Sequence, residues 1–217
     1  MPDHETVVEL DHVVVAARRL DEGVRWVEDH LGVAPDAGGT HDGFGTHNAL
    51  LRLGDDVYLE VLAPDPAQPA PQRPRLFGLG DEACRRLLEA GPCLLHWVVR
   101  TRDLPAAMAM LAGAAGEPPA ALGIASPMQR GDLRWTLAIR ADGARPPHGL
   151  PSVIDWGGAP HRAFGSPTAA SCSSASTWRR PRRRAPRSRR CGTHGSSSRS
   201  GSILRSRPGC ALPLVSC

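Results

Sequence analysis

The strongest constraint on how this chain folds is that it repeats itself. Residues 10–20 (LDHVVVAARRL) align with residues 94–104 (LLHWVVRTRDL) at an offset of 84, and six of the eleven positions are identical. The matches are Leu10/Leu94, His12/His96, Val14/Val98, Val15/Val99, Arg18/Arg102 and Leu20/Leu104. Each copy reads as a β-branched strand running directly into a helix. The first helix is predicted over 21–31 and stopped by Gly32, while Asp103 can cap the second, with Pro105 in its first turn. In the first copy, strand-like runs at 49–53 and 57–62 flank Gly54-Asp55-Asp56, a hairpin signal. In the second, runs at 133–140 and 152–156 flank a longer loop rich in Pro and Gly. A weaker strand precedes each pair, near 40–46 and 124–130. The order is βαβββ twice, joined by a Pro-rich linker at 64–74 and a further helix over 81–90. A fold built by duplication is the economical reading.

Charge divides the chain. All 22 acidic residues and 14 of the 26 arginines lie at or before Asp155, so residues 1–155 carry −8. Residues 156–217 hold the other 12 arginines and no acid, which makes them +12 and returns the whole-chain value of +4. The working domain is therefore acidic, and a nucleic-acid partner is not inferred from the total. Residues 1–11 lack the charged-then-apolar start of a secretory signal. The longest mostly apolar stretch, 104–115, is too short to span a bilayer, so no membrane role is expected. Cys84 and Cys93 are the only cysteines in the acidic part, and their spacing matches no metal or redox motif. The default setting is reduced and cytoplasmic.

Strand parity nominates the chemistry. Leu10, His12 and Val14 share one face of the first strand, with Asp11 expected on the opposite face, at the surface or in the turn to the helix. Leu94, His96 and Val98 share the matching face of the repeat. Tyr58, Glu60 and Leu62 share a face of the last strand of the first module, and Asp155 is assigned the corresponding place in the second. Each module thus offers one histidine and one carboxylate. His47 and Asn48 lie in a loop-to-strand segment suited to the rim of a pocket and are candidate substrate-binding residues. Trp97, Trp135 and Trp156 read as packing.

Taken together, LDHVVVAARRLDEGVRWVEDHLGV, GTHNALLRLGDDVYLEVLAPDP, LLHWVVRT and LPSVIDWGGAPH, in that order, resemble the glyoxalase-like branch of the vicinal oxygen chelate superfamily over residues 7–165. The resemblance implies an α+β fold in which paired βαβββ modules, about 7–63 and 92–160, form a cupped mixed sheet around a small-molecule ligand. It also implies metal ligands on the first and last strands of the modules, which carries over to His12, Glu60 and His96, with Asp155 as a fourth ligand or base. Two imidazoles and a carboxylate suit a divalent ion such as Zn, Ni, Co, Mn or Fe(II). Such an ion would polarise a vicinal-oxygen substrate in a lyase or isomerase, with Glu60 or Asp155 as the catalytic carboxylate. The same set suits an Fe(II) ring-cleaving dioxygenase, and the competing class is a metal-free binding or resistance protein. Such modules pair within or between chains, so a homodimer stays open.

From about residue 166 the composition changes. Residues 178–190 hold eight arginines in thirteen positions, and thirteen serines follow residue 156 against two before it. The expectation for 166–217 is a disordered basic tail, or a stretch translated out of frame from a GC-rich gene.

Overall fold

The computed structural model describes residues 6–157. The stretch 166–217, expected to be disordered or out of frame, lies outside the described residues. Within them the chain runs β1 (Glu9–Ala16), α1 (Leu20–Leu31), β2 (Asp36–His41), β3 (Thr46–Arg52) and β4 (Tyr58–Pro64). It continues with α2 (Glu82–Leu87), β5 (Cys93–Arg100), α3 (Leu104–Ala114), β6 (Ile124–Arg130), β7 (Leu133–Ile139) and β8 (Ser152–Asp155). The strands form one curled mixed sheet in the order β2-β3-β4-β1-β5-β8-β7-β6. β1 pairs parallel with β4, and β5 pairs parallel with β8. Every other pairing is antiparallel, including β1 with β5, which joins the two modules at the centre. The α+β expectation of paired βαβββ modules in a cupped mixed sheet therefore holds.

Local chemistry explains the boundaries. α1 ends where Gly32 adopts φ 76° and its N–H bonds back to Glu28 O at 2.7 Å, the left-handed stop that glycine allows without steric cost. The Asp103 carboxylate accepts from Ala106 N–H at 3.0 Å and caps α3. The Gly54-Asp55-Asp56 turn closes with Leu53 N–H on Val57 O at 2.9 Å. The strand expected near 40–46 instead ends at His41, because Gly43 and Gly45 both take positive φ and turn the chain into β3. No helix among the described residues is long and apolar enough to cross a membrane.

Alternation along the strands separates two sides of the sheet. Val15, Leu59 and Val61 face outward with Ala49 and pack under Val27 of α1. Val99, Ala138 and Val153 do the same under Leu104, Ala107 and Ala112 of α3. The inward side carries Val14, Leu62, Val98, Leu137 and Ile154. A connecting turn at Leu76–Gly78 adds Phe77, whose φ of 57° is unusual for a non-glycine residue, to this inward group. The inward side is the wall of the cup.

Candidate functional site

The cup encloses a cavity of about 50 Å³, room for about three to five water-sized groups. Its walls are largely apolar, with Leu50, Phe77, Trp135, Leu137, Ile154 and Trp156 among them. Against these stand His12, His41, Asn48, Tyr58, Glu60 and Arg130. The polar side comes mostly from the first module, while Arg130 reaches in from the edge strand of the second.

Glu60 is the hub. Its side chain is buried, and its Oε1 accepts from Asn48 Nδ2 at 2.6 Å. The amide orientation is fixed from its other end, where Asn48 Oδ1 accepts from Gly39 N–H at 2.8 Å and lies 3.5 Å from an Arg130 nitrogen. His41 Nε2 is 3.5 Å from Asn48 Nδ2 and 3.8 Å from Glu60 Oε1, and its Nδ1 meets Thr46 Oγ1 at 3.1 Å. Burial holds the His41 pKa below the usual histidine value, against the pull of the Glu60 charge. A neutral His41 can donate from Nδ1 to Thr46 and accept at Nε2 from Asn48.

This packing depends on Gly38-Gly39. A Cβ on Gly38 would fall 2.1 Å from Asn48 Oδ1 and 2.9 Å from the Asn48 carbonyl, and one on Gly39 would fall 2.7 Å from Arg130 Cδ. Gly38→Ala is expected to destabilise the protein by about 1–3 kcal/mol, because the obstacle includes backbone, and to displace Asn48 from Glu60. Urea unfolding checks the first effect and the Asn48 side-chain NMR signals the second. A variant with wild-type midpoint and unshifted Asn48 signals would show that the contact is soft.

His12 is held from the other side. Its Nδ1 lies 2.6 Å from Asp11 Oδ1, its ring stacks on Tyr58 at 4.5 Å, and its Nε2 faces Glu60 Oε2 across 3.6 Å. Asp11 is fully buried, which corrects its expected place at the surface. The β1–β5 pairing steps from Leu10↔Val99 to His12↔Val98, leaving Asp11 as the extra residue of a bulge. A bulged residue leaves the ladder and escapes the alternation that parity assumes. Asp11 Oδ2 accepts from Trp156 Nε1–H at 2.9 Å. Burial, then the charges of Asp11 and Glu60, hold the Tyr58 phenol well above its ordinary pKa, so its hydroxyl stays protonated and bonds Asp11.

The other nominated residues lie elsewhere. His96 does not line the cavity; its ring packs against the back of Phe77 at 4.8 Å. Its Nε2 accepts from Ser152 N–H at 3.2 Å, with the Ser152 hydroxyl at 3.0 Å. Burial, helped by the charges of Arg145 and His12, lowers the His96 pKa to about 3. Register explains Asp155. Val14 pairs with Glu60 in the first module, and its repeat partner Val98 pairs with Ser152 in the second. Ser152 therefore holds the place corresponding to Glu60, and Ile154 and Trp156 face the cavity on either side of Asp155. Asp155 sits beside Thr136 on the other side of β8, where its Oδ1 accepts from Gly157 N–H at 2.8 Å. His47 and Asn48 also part company. Asn48 enters the cup, whereas His47 lines an outer groove with its Nδ1 3.8 Å from Asp65.

Only His12 and Glu60 of the four residues implied as metal ligands converge. His96 has its Nε2 engaged by Ser152, and Asp155 faces out. His41 approaches Glu60, and the Asn48 amide lies against both, engaging Glu60 Oε1 at 2.6 Å. Among the described residues no three His, Cys, Asp or Glu side chains form a metal site. The residues present do not fit the implied ion, either for a lyase or for an Fe(II) dioxygenase. Sequence reasoning missed His41, Asp11, Tyr58 and Arg130. The Gly-Gly-Thr-His run beside Asn48 was the available signal for His41, because adjacent glycines in a strand mark close backbone approach.

Paired βαβββ modules closing a cup around a cavity define the vicinal oxygen chelate class. Within it the chain belongs to the glyoxalase-like domain family, whose sequence model matches residues 10–177. Comparison with curated proteins gives no match. Among solved structures, a methylmalonyl-CoA epimerase in complex with methylmalonyl-CoA and an ammonium ion is similar at 19% identity and a TM-score of 0.40, covering 69% of this chain and 94% of that one. The methylmalonyl-CoA epimerase from Mycobacterium tuberculosis is similar at 22% identity and a TM-score of 0.39, over 67% and 86%. A hypothetical protein from Staphylococcus aureus is similar at 18% identity and a TM-score of 0.44, over 69% and 59%.

Proposed function

We propose that the cup binds a small compound carrying a carbonyl beside an anionic oxygen, and that Glu60 moves a proton on it, as in an isomerase or lyase. The observation behind this is the unbonded gap of 3.6 Å between Glu60 Oε2 and His12 Nε2 at the wall of a cavity otherwise lined largely by apolar side chains. That separation is too long for a hydrogen bond between them, so both atoms stay available to a bound ligand. The apolar walls lower the local dielectric and strengthen each polar contact made there. Arg130 supplies a cation for the anionic oxygen.

In this reading the Glu60 carboxylate takes the proton from the carbon next to the carbonyl. The C–H electron pair moves into the carbonyl system, and the resulting enolate oxygen is held by Arg130. Return of the proton to the same carbon or its neighbour regenerates Glu60 and completes an isomerisation with no other reactant. His12 is placed to carry the proton between adjacent oxygens.

The test is wash-in of solvent deuterium, followed by proton NMR, across a panel of small vicinal-oxygen acids. Exchange that requires the protein is expected for at least one acid. Arg130→Met is expected to weaken binding of that acid by about tenfold to a hundredfold by calorimetry, because a charge-assisted hydrogen bond is lost. Tight binding without exchange anywhere in the panel would favour a sequestering protein and overturn proton transfer.

A further inference from the structure

We infer that Asp11 is a positioning residue for His12, deciding which imidazole nitrogen carries the proton and tying that choice to the second module. The inference rests on the reading of His12 as a proton carrier in the cup. Asp11 occupies the bulge of β1 and is fully buried, and His12, Trp156 and Tyr58 are among the groups that meet its carboxylate. His12 Nδ1 meets Oδ1 at 2.6 Å, Trp156 Nε1–H donates to Oδ2 at 2.9 Å, and the Tyr58 hydroxyl bonds to the same side chain.

An ionised carboxylate can only accept, so each of these partners must donate. The Trp156 indole has no alternative, since its nitrogen is a donor only. Tyr58 is kept protonated by its surroundings. His12 must then carry a proton on Nδ1, and in a neutral ring Nε2 is left as a bare lone pair aimed toward Glu60. This reverses the ordinary preference of imidazole in water for the Nε2–H form. A half-turn of the ring would keep its stack on Tyr58 but give up the 2.6 Å contact, putting a carbon where Nδ1 meets Asp11. Tyr58 thus grips both members of the pair, by its face on His12 and by its hydroxyl on Asp11.

Trp156 follows β8, in the second module, and its ring also lines the cavity. Seating of that segment therefore adds a donor to the carboxylate that orients His12. The second module thus contributes a donor to the carboxylate that leaves an acceptor nitrogen of His12 in the cup.

The experiment is a long-range proton–nitrogen correlation spectrum of the full chain, uniformly labelled with nitrogen-15, at a pH where the His12 ring is neutral. The wild type is expected to show His12 protonated on Nδ1 and bare on Nε2. Asp11→Ala is expected to lose that preference in favour of Nε2–H. In Asp11→Asn combined with Trp156→Phe, the amide oxygen can serve Nδ1 without its NH2 opposing the indole, and the Nδ1–H form is expected to return. A wild-type His12 bare at Nδ1 overturns the assignment whatever the variants do. So does an Asp11→Ala protein that folds and keeps the Nδ1–H form. The readout needs no ligand, so its failure and failure of deuterium wash-in are separate results.

Discussion

Glu60→Gln is expected to lower the rate of solvent-deuterium wash-in by about 10²- to 10⁴-fold, the usual contribution of a positioned general base. The substitution is nearly isosteric. The glutamine carbonyl can still accept from Asn48 Nδ2, the contact that holds the side chain at 2.6 Å in the wild type. What is lost is the ability to take a proton, so binding of the same acid should change far less than turnover. The opposite pattern, weakened binding with undiminished exchange, would assign Glu60 to ligand recognition and move the base elsewhere. Stability separates these outcomes from trivial unfolding. Glu60 is only 6% exposed, and an uncharged amide in its place removes a buried charge without opening a cavity. A variant that melts well below the wild type would show that its effect on turnover is not chemical.

A second large effect is expected in acid. The His96 pKa falls from 6.5 to about 3 on folding, chiefly through burial, so the unfolded chain binds this proton more readily than the folded one. Stability from the neutral ring is complete above about pH 6.5 and is lost as the pH falls from there toward 3. The lowered pKa of buried His41 acts in the same direction. Linkage at about 1.4 kcal/mol per unit sets an upper bound for His96 of about 5 kcal/mol across that window. Urea midpoints measured between pH 7 and pH 4 should fall steadily, and His96→Gln should flatten the slope by up to one proton. Parallel pH profiles for wild type and variant would mean that His96 titrates normally in the folded protein. The cause would then lie in the ring being more open to water than its 6% exposure in the fold implies.

These expectations draw unequally on sequence and structure. Gly32, Asp103 and the Gly54-Asp55-Asp56 turn do in the fold what their chemistry demands locally, because each acts on backbone groups within a few residues of itself. The two βαβββ runs were legible for a similar reason: alternation and helical spacing are properties of short segments. His12 and Glu60 share the cup because both lie on strands whose inward face could be read from neighbouring valines and leucines. Parity failed where a strand departs from ideal pairing. The bulge at Asp11 turned an expected surface acid into the anchor of His12. The β1–β5 pairing steps again from Val14↔His96 to Val15↔Leu94, leaving Leu95 as the extra residue beside His96.

The sequence by itself therefore determined the element order, the fold class and half of the site, since those follow from local periodicity and from residue types near one another in the chain. Only the tertiary structure decided that His41, Arg130 and Trp156 would meet around Glu60 and Asp11. It alone also decided that Ser152, and not Asp155, would stand where the second module mirrors Glu60. Register between strands and the position of a bulge depend on how distant segments pack. A shift of one residue reverses which face a side chain takes, so no reading of a single strand can supply them.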